Sequence, residues 1–344
     1  MALSHTLKKI VGYGVLLSLA IIIASIFFFR QFNVPQNLNP LVISIAPGTD
    51  FEQVTQQLID SGVVVNPLLF RFLGKQMQYD RYIKSGRFAI QGGWNTVELI
   101  RNLRMGANLP IRITINQARL AEELAGQVAS KFYFDSIDLT RVLFADSTLA
   151  SLGLDSNTLM SLFIPNTYEM YWNTTPEGFI QRMKKEHDNF WNLSNRLEKA
   201  ELKGLSPEEV YTMASIVEKE TLIFEEKKRM AGVYLNRIEQ GIPLQADPTA
   251  VFARRDFETG RVTYYHTKFD NPYNTYLYAG LPPGPICMAS IASIDAVLDA
   301  EDHEYLYFCA LGDGSGKHSF ATDLREHGKN VRIYQKNLRK RGLR

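Results

Sequence analysis

Apolar residues run unbroken by charge from Ile10 to Phe29, with only Gly, Ser and Tyr among the aliphatics and Phe. Twenty such residues match the span a helix needs to cross a bilayer core, so this stretch is predicted to be a transmembrane helix. Lys8 and Lys9 precede it and Arg30 follows, a bias that favours a cytoplasmic N-terminus. The run closes on Phe27-Phe28-Phe29-Arg30-Gln31 without the small residues of a cleavage site, which argues for a retained anchor over a removed signal peptide. A Pro/Asn/Gln linker then leads to shorter periodicities. Leu41 to Ile45 reads as a strand, Pro47-Gly48 as a turn, and Thr49 with Glu52 as the capping box of a helix whose Phe51, Val54 and Leu58 share one face. Asn66-Pro67 opens a second helix through Phe72, and Gly86 to Ile90 returns as a strand. Asn95 with Glu98 starts another helix, ended by Gly106, and Ile111, Ile113 and Ile115 alternate as a strand. Further on, Ser206-Pro207-Glu208-Glu209 carries every signal of a helix start. Val210, Met213, Ala214 and Val217 then recur at core-facing spacing, with Tyr211, Ser215, Glu218 and Leu222 as the neighbouring stripe.

The pattern predicts an α+β protein. Its parts are a cytoplasmic tail (1–9), a transmembrane helix (10–29), a linker (30–40), a small βααβ module with a connecting strand (41–115), and a larger mixed domain (116–344). Composition changes this little: 45% hydrophobic and 22% charged residues are those of an ordinary globular chain, and a net charge of +2 excludes nothing by itself. Two cysteines, Cys287 and Cys309, are too few for a disulfide framework. They could pair in an oxidising compartment, but Cys309 lies in an apolar run, Tyr305 to Leu311, that reads as a buried strand.

Several motifs are excluded on their own terms. Gly312-Asp313-Gly314-Ser315-Gly316-Lys317 is one residue short of a phosphate loop and is followed by His318 in place of Ser or Thr. Asp302-His303-Glu304 cannot share one helix face, and neither HExxH nor GxSxG occurs. The basic C-terminal run Arg339-Lys340-Arg341 reads as a solvated tail.

Candidate chemistry centres on Ala214-Ser215-Ile216-Val217-Glu218-Lys219-Glu220-Thr221. A Glu at the edge of a buried helix face can hold its proton near neutral pH, because desolvation disfavours its charge, and such an acid can protonate a glycosidic oxygen. Glu218 occupies that edge. Glu220, two residues on, projects about 200° around the axis from it and is a poor second carboxylate for Glu218. Asp247, before Pro248, is the better candidate for that role, with an Asx turn as the competing reading.

The downstream blocks are Tyr234-Leu235-Asn236-Arg237, Leu244-Gln245-Ala246-Asp247-Pro248-Thr249, Tyr278 to Ile286, Tyr305-Leu306-Tyr307-Phe308, Lys317 to Thr322 and Glu326-His327, with Pro165-Asn166-Thr167-Tyr168 upstream. In this order, behind an N-terminal anchor, they resemble the YceG-like family of endolytic murein transglycosylases. The resemblance implies a membrane-anchored extracytoplasmic enzyme that cuts peptidoglycan strands internally. One Glu, here Glu218, would protonate the leaving oxygen and then deprotonate the C6 hydroxyl of N-acetylmuramic acid, leaving a 1,6-anhydro end. It also implies substrate contacts from Ser215, Gln245, Asp247, Asn274, Tyr276 and His318, no cofactor, no nucleic acid, and peptidoglycan synthases as partners. The βααβ module resembles a LysM-like fold, whose members bind glycans; a plain spacer is the other reading. Two departures stand out: Met288-Ala289-Ser290 replaces an Asn-Pro-Gly, and Met160-Ser161 replaces a Glu-Gly, neither falling on Glu218. The rival functions are a silent wall-binding scaffold and a hydrolytic muramidase using Asp247 to position water.

Overall fold

A computed structural model describes the backbone of residues 2–29 and 33–343, and side-chain surroundings for 9–23 and 33–343. Helix α1 spans Ala2–Phe29. Among the described residues no helix is long and apolar enough to cross a membrane. The anchor expected over Ile10 to Phe29 extends past Ile23, where the side chains lie outside the described residues, as does Arg30 entirely.

The chain divides into two compact units, residues 1–111 with 169–173, and residues 112–168 with 174–344. In the first, β1 (Leu41–Ile45), α2 (Phe51–Asp60), α3 (Pro67–Gln76), β2 (Gly86–Ile90) and α4 (Thr96–Met105) follow in that order. Strands β1 and β2 pair antiparallel from Leu41 opposite Ile90 to Ile45 opposite Gly86. Alternation along each strand sends Ile43, Ile45, Phe88 and Ile90 inward, where they meet Val54 and Leu58 of α2, Phe70 of α3 and Leu99, Ile100 and Leu103 of α4. Phe51, Phe70 and Tyr79 pack as one aromatic cluster, with ring centroids 5.9–6.5 Å apart. The cap of α2 lies one residue later than the sequence pattern suggests. Asp50 and Gln53 form the capping box, and the Thr49 hydroxyl donates instead to the Ala46 carbonyl, closing the preceding turn. Asn33, almost fully buried, ties the unit together: its Oδ1 accepts from the Val65 and Asn66 amides, and its Nδ2 donates to Thr96 Oγ1.

Strand β3 (Pro110–Ile115) pairs with β4 (Asn166–Tyr171), and the division between the units runs through both. The second unit continues with α5 (Ala121–Ala129), α6 (Ser136–Leu143), α7 (Asp146–Leu152) and a 3-10 turn at Leu159–Leu162. After β4 come α8 (Pro176–Asn192), α9 (Arg196–Leu202), α10 (Pro207–Glu220), α11 (Phe224–Glu239), α12 (Asp247–Arg254), α13 (Tyr264–Thr267) and α14 (Ile291–Leu298). A hairpin of β5 (Tyr307–Ala310) and β6 (His318–Ala321), covered by α15 (Leu324–Lys340), completes it. Its core is built around α10, every residue of which from Val210 to Val217 is buried. That helix begins as its sequence predicts: Ser206 and Glu209 form a capping box around Pro207. It packs on α14, α11 and α12, and each fully buried aliphatic side chain in such a contact stabilises by about 1.5–3 kcal/mol. Thr221 is extended and stops the helix, so Glu218 and Glu220 both lie in its last turn. Cys309 is half-buried in β5 rather than a core residue, and both cysteines are free thiols.

Candidate active site

The two glutamates of the last turn of α10 have opposite surroundings. Glu218 forms an ion pair with Lys227 of α11, Nζ to Oε2 2.9 Å, and its side chain and that of Lys227 are 25% and 8% exposed. The hydroxyls of Ser290 and Ser293, at the start of α14, donate to the same oxygen. Burial alone would raise the pKa of Glu218, but the hydrogen bonds from Ser290, Ser293 and Lys227, with the Lys227 charge, outweigh it and hold the carboxyl below its ordinary value. Glu218 is therefore held ionised between α10, α11 and α14, surroundings that do not favour the proton-donor role expected of it. The Met288-Ala289-Ser290 departure also bears on it directly, since Ser290 both caps α14 and binds Glu218.

Glu220 emerges on the other side. It lines a cavity of ≈ 310 Å³ together with Arg237, Gln245, Asp247, Tyr276, Tyr307 and His327. It also lines a second cavity of ≈ 270 Å³, shared with Asp247 and walled by Val251, Phe252 and Ile286. No cation pairs with Glu220 among the described residues. The Tyr234 hydroxyl donates to its Oε1 at 2.8 Å, and among the described residues no hydrogen bond holds Oε2. Desolvation pushes its pKa up to about 7; the Tyr234 hydrogen bond opposes that rise and the charge of Asp247 adds to it. The half-turn between the two glutamates, which made Glu220 a poor companion for Glu218, is what places it in the cleft.

Around Glu220 the polar groups hold one another in place. Arg237, buried, donates to the carbonyls of Pro243 and Leu306 and to Gln245 Oε1. Gln245 adopts a left-handed backbone, φ 51°, which a non-glycine residue sustains only when its surroundings over-determine it. Its amide donates to the Thr275 carbonyl at 3.0 Å while its side chain is taken by Arg237. Asp247 begins α12 instead of an isolated turn, and the Tyr276 hydroxyl donates to its Oδ1 at 2.5 Å. His327 stacks on Tyr307, ring centroids 5.4 Å apart, and its buried Nδ1 has no partner among the described residues. Burial and the nearby Arg237 charge lower its pKa, so the ring is neutral at pH 7 and suited to hydrogen bonding with hydroxyl or amide groups.

Of the residues expected to touch substrate, the structure brings Gln245, Asp247 and Tyr276 together with Glu220. The other three have structural partners. Ser215 is fully buried; its hydroxyl donates to the Thr212 carbonyl and accepts from the Ile286 amide. Asn274 is fully buried and donates to the carbonyls of His266, Thr267 and Phe269, organising that loop. His318 Nδ1 lies 2.9 Å from buried Glu226 of α11, at the start of β6. The sequence reasoning missed Glu220, Arg237, Tyr307 and His327 as cleft residues. A signal existed for each in the Ala214-to-Thr221, Tyr234-to-Arg237, Tyr305-to-Phe308 and Glu326-His327 blocks, but not one that said which side chains face the same space.

The chain matches the model of the YceG-like family over residues 43–333. It is 28% identical, over 95% of its length, to an endolytic murein transglycosylase of Streptococcus pneumoniae, and spans 65% of that relative. It is 26% identical, over 85% of its length, to an endolytic murein transglycosylase of Bacillus subtilis, of which the match covers 84%. A crystal structure of a yceG-like protein from Listeria monocytogenes superimposes with a TM-score of 0.57 at 25% identity, over 84% of this chain and 98% of that one.

Proposed function

The chain belongs to the YceG-like family, and from that membership and the cleft around Glu220 we propose that it is an endolytic murein transglycosylase with Glu220 as its acid and base. The observation that carries the assignment is the contrast within one helical turn. Glu218 is neutralised by Lys227, whereas no cation pairs with Glu220 among the described residues and burial in a cleft pushes its pKa up to about 7. A group with that pKa is close to half protonated at neutral pH, against well under 1% for a carboxyl at its ordinary value. Its proton goes to the glycosidic oxygen as the C1–O bond of N-acetylmuramic acid breaks. The resulting carboxylate then takes the proton of the C6 hydroxyl, whose oxygen bonds to C1. The 1,6-anhydro ring closes, no water is consumed, and Glu220 is reprotonated for the next cycle. Because nucleophile and electrophile belong to one sugar, proximity replaces a second catalytic carboxylate. Asp247, fastened by Tyr276, serves to keep Glu220 protonated and to bind substrate, alongside Gln245 and neutral His327.

The same reading extends to the rest of the chain. Residues 10–29 anchor it in the cytoplasmic membrane with the second unit outside, a position suited to nascent strands and to peptidoglycan synthases as partners. The first unit, ordered strand–helix–helix–strand, contributes glycan affinity in the manner of LysM-like modules. The test is mass spectrometry of fragments released from isolated murein by the detergent-solubilised full chain. Anhydro-muramic ends are expected. Reducing muramic ends would mean hydrolysis, and no release would mean a scaffold.

A further inference from the structure

The cavity walled by Val251, Phe252 and Ile286 carries charge that the transglycosylase reaction does not use. Arg119, just before α5, reaches its lining, as does the exposed Lys219 of α10. The Arg119 guanidinium lies over the Phe257 ring, 4.6 Å from its centroid, and makes one long contact of 3.5 Å with the Phe257 carbonyl. Its backbone amide is held by Glu123 Oε2 at 2.8 Å, which positions the residue without neutralising the side chain. No carboxylate pairs with Arg119 or Lys219 among the described residues, although Glu220 and Asp247 line the same cavity. Arg119 also borders an adjoining cavity of ≈ 210 Å³ whose lining includes the charged Glu122 and Arg255 and polar Asn157 beside Ala121, Met160 and Pro285. A guanidinium with most of its donors unused, stacked on an aromatic ring between a largely apolar hollow and a more polar one, suits a planar carboxylate attached to an aliphatic chain. It suits a hydroxyl-covered sugar ring much less.

We propose that Arg119, assisted by Lys219, binds a carboxylate of the stem peptide carried on muramic acid, so that the enzyme distinguishes peptide-bearing from peptide-stripped strands. The inference rests on the transglycosylase reading and names a further part of the substrate for the same cleft. The peptide, and not the lactyl group alone, is favoured because the two hollows, ≈ 270 and ≈ 210 Å³, exceed what a lactyl group fills, and the first offers apolar walls for alanyl methyl groups.

The experiment compares soluble murein strands with intact stem peptides and the same strands after amidase treatment, which leaves a free lactyl carboxylate. The full-length parent, Arg119→Gln and Arg119→Lys are assayed on both by counting anhydro ends. Arg119→Gln is expected to lower the ratio of kcat/KM on peptide-bearing to stripped strands about tenfold, mainly through KM, as loss of one charge-assisted hydrogen bond implies. Arg119→Lys should recover part of the ratio, since it restores the charge without the planar fork. Thermal unfolding confirms that both variants fold. An equal loss on both substrates would assign the contact to a group the two strands share, such as the lactyl carbonyl or the sugar, and overturn the proposal. An unchanged ratio in an active, folded Arg119→Gln would also overturn it. If the parent forms no anhydro ends on either substrate, the transglycosylase reading fails, a result distinct from an unchanged ratio.

Discussion

Replacing each glutamate of the last turn of α10 by Gln should shift activity and stability in opposite directions. Glu220→Gln keeps shape and hydrogen-bonding reach but cannot pass a proton, and general acid–base assistance is worth about 10²–10⁴-fold. With one residue serving both steps, the loss of turnover should reach roughly 10³-fold. Stability should move the other way. The folded protein holds the Glu220 proton up to about 7, whereas the unfolded chain releases it near the ordinary 4.5. The folded state therefore binds more protons between those values. Its stability is greatest below 4.5 and declines as pH rises through 7. Holding the carboxyl so far from its ordinary value costs at most about 3.4 kcal/mol above pH 7. Partial opening to the cleft reduces this to about 1–2 kcal/mol. Glu220→Gln escapes that cost and should be the more stable protein at pH 8, with the difference gone at pH 4. Glu218→Gln leaves the Lys227 ammonium buried without its partner. Breaking a buried pair costs about 3–5 kcal/mol, and the partial exposure of Glu218 reduces this to about 2 kcal/mol. Because the Glu218 carboxyl is held below its ordinary value, that deficit should be full at pH 7 and should fade as acid protonates the parent's Glu218. The assays are anhydro ends per enzyme on one murein preparation, well below the unfolding temperature, and thermal unfolding at pH 4 and pH 8. A Glu218→Gln protein that unfolds like the parent yet has lost turnover, beside an active Glu220→Gln, would refute the assignment.

Two further outcomes follow from single contacts. Tyr234→Phe removes the hydroxyl that donates to Glu220. A hydrogen bond to the ionised form lowers a carboxyl's pKa, so the fall of kcat/KM above neutral pH should move up by about one pH unit; a shift to lower pH would contradict this. In the first unit, Asn33→Ala leaves the Asn66 amide without its acceptor and the buried Thr96 hydroxyl without its donor, while the Val65 amide keeps the Asn33 backbone carbonyl. It should destabilise that unit by about 2–4 kcal/mol in urea unfolding, and an unchanged midpoint would mean that water replaces the side chain.

What the sequence determined by itself was local. Ser206 to Glu209 and Asn95 to Glu98 specify their helix starts through side chains three residues apart, and the alternation in Leu41–Ile45 and Gly86–Ile90 specifies which face is buried. The family was legible too, because its blocks are contiguous strings. Even local reasoning slipped by one residue where two cap candidates stand side by side, and the Asp50 carboxylate took the cap from Thr49. Helical periodicity marked Glu218 as the residue beside the buried face, and that was correct as geometry. Only the tertiary structure decided what lay on each side. α11 and α14 bring Lys227, Ser290 and Ser293 to Glu218, from 9, 72 and 75 residues away. The Tyr234 hydroxyl and the start of α12 enclose Glu220. A carboxyl's pKa follows from the charges and donors packed against it, and these come from elements whose approach no local pattern encodes. The carboxyl whose surroundings suit a proton donor therefore lies one half-turn from where the sequence pointed.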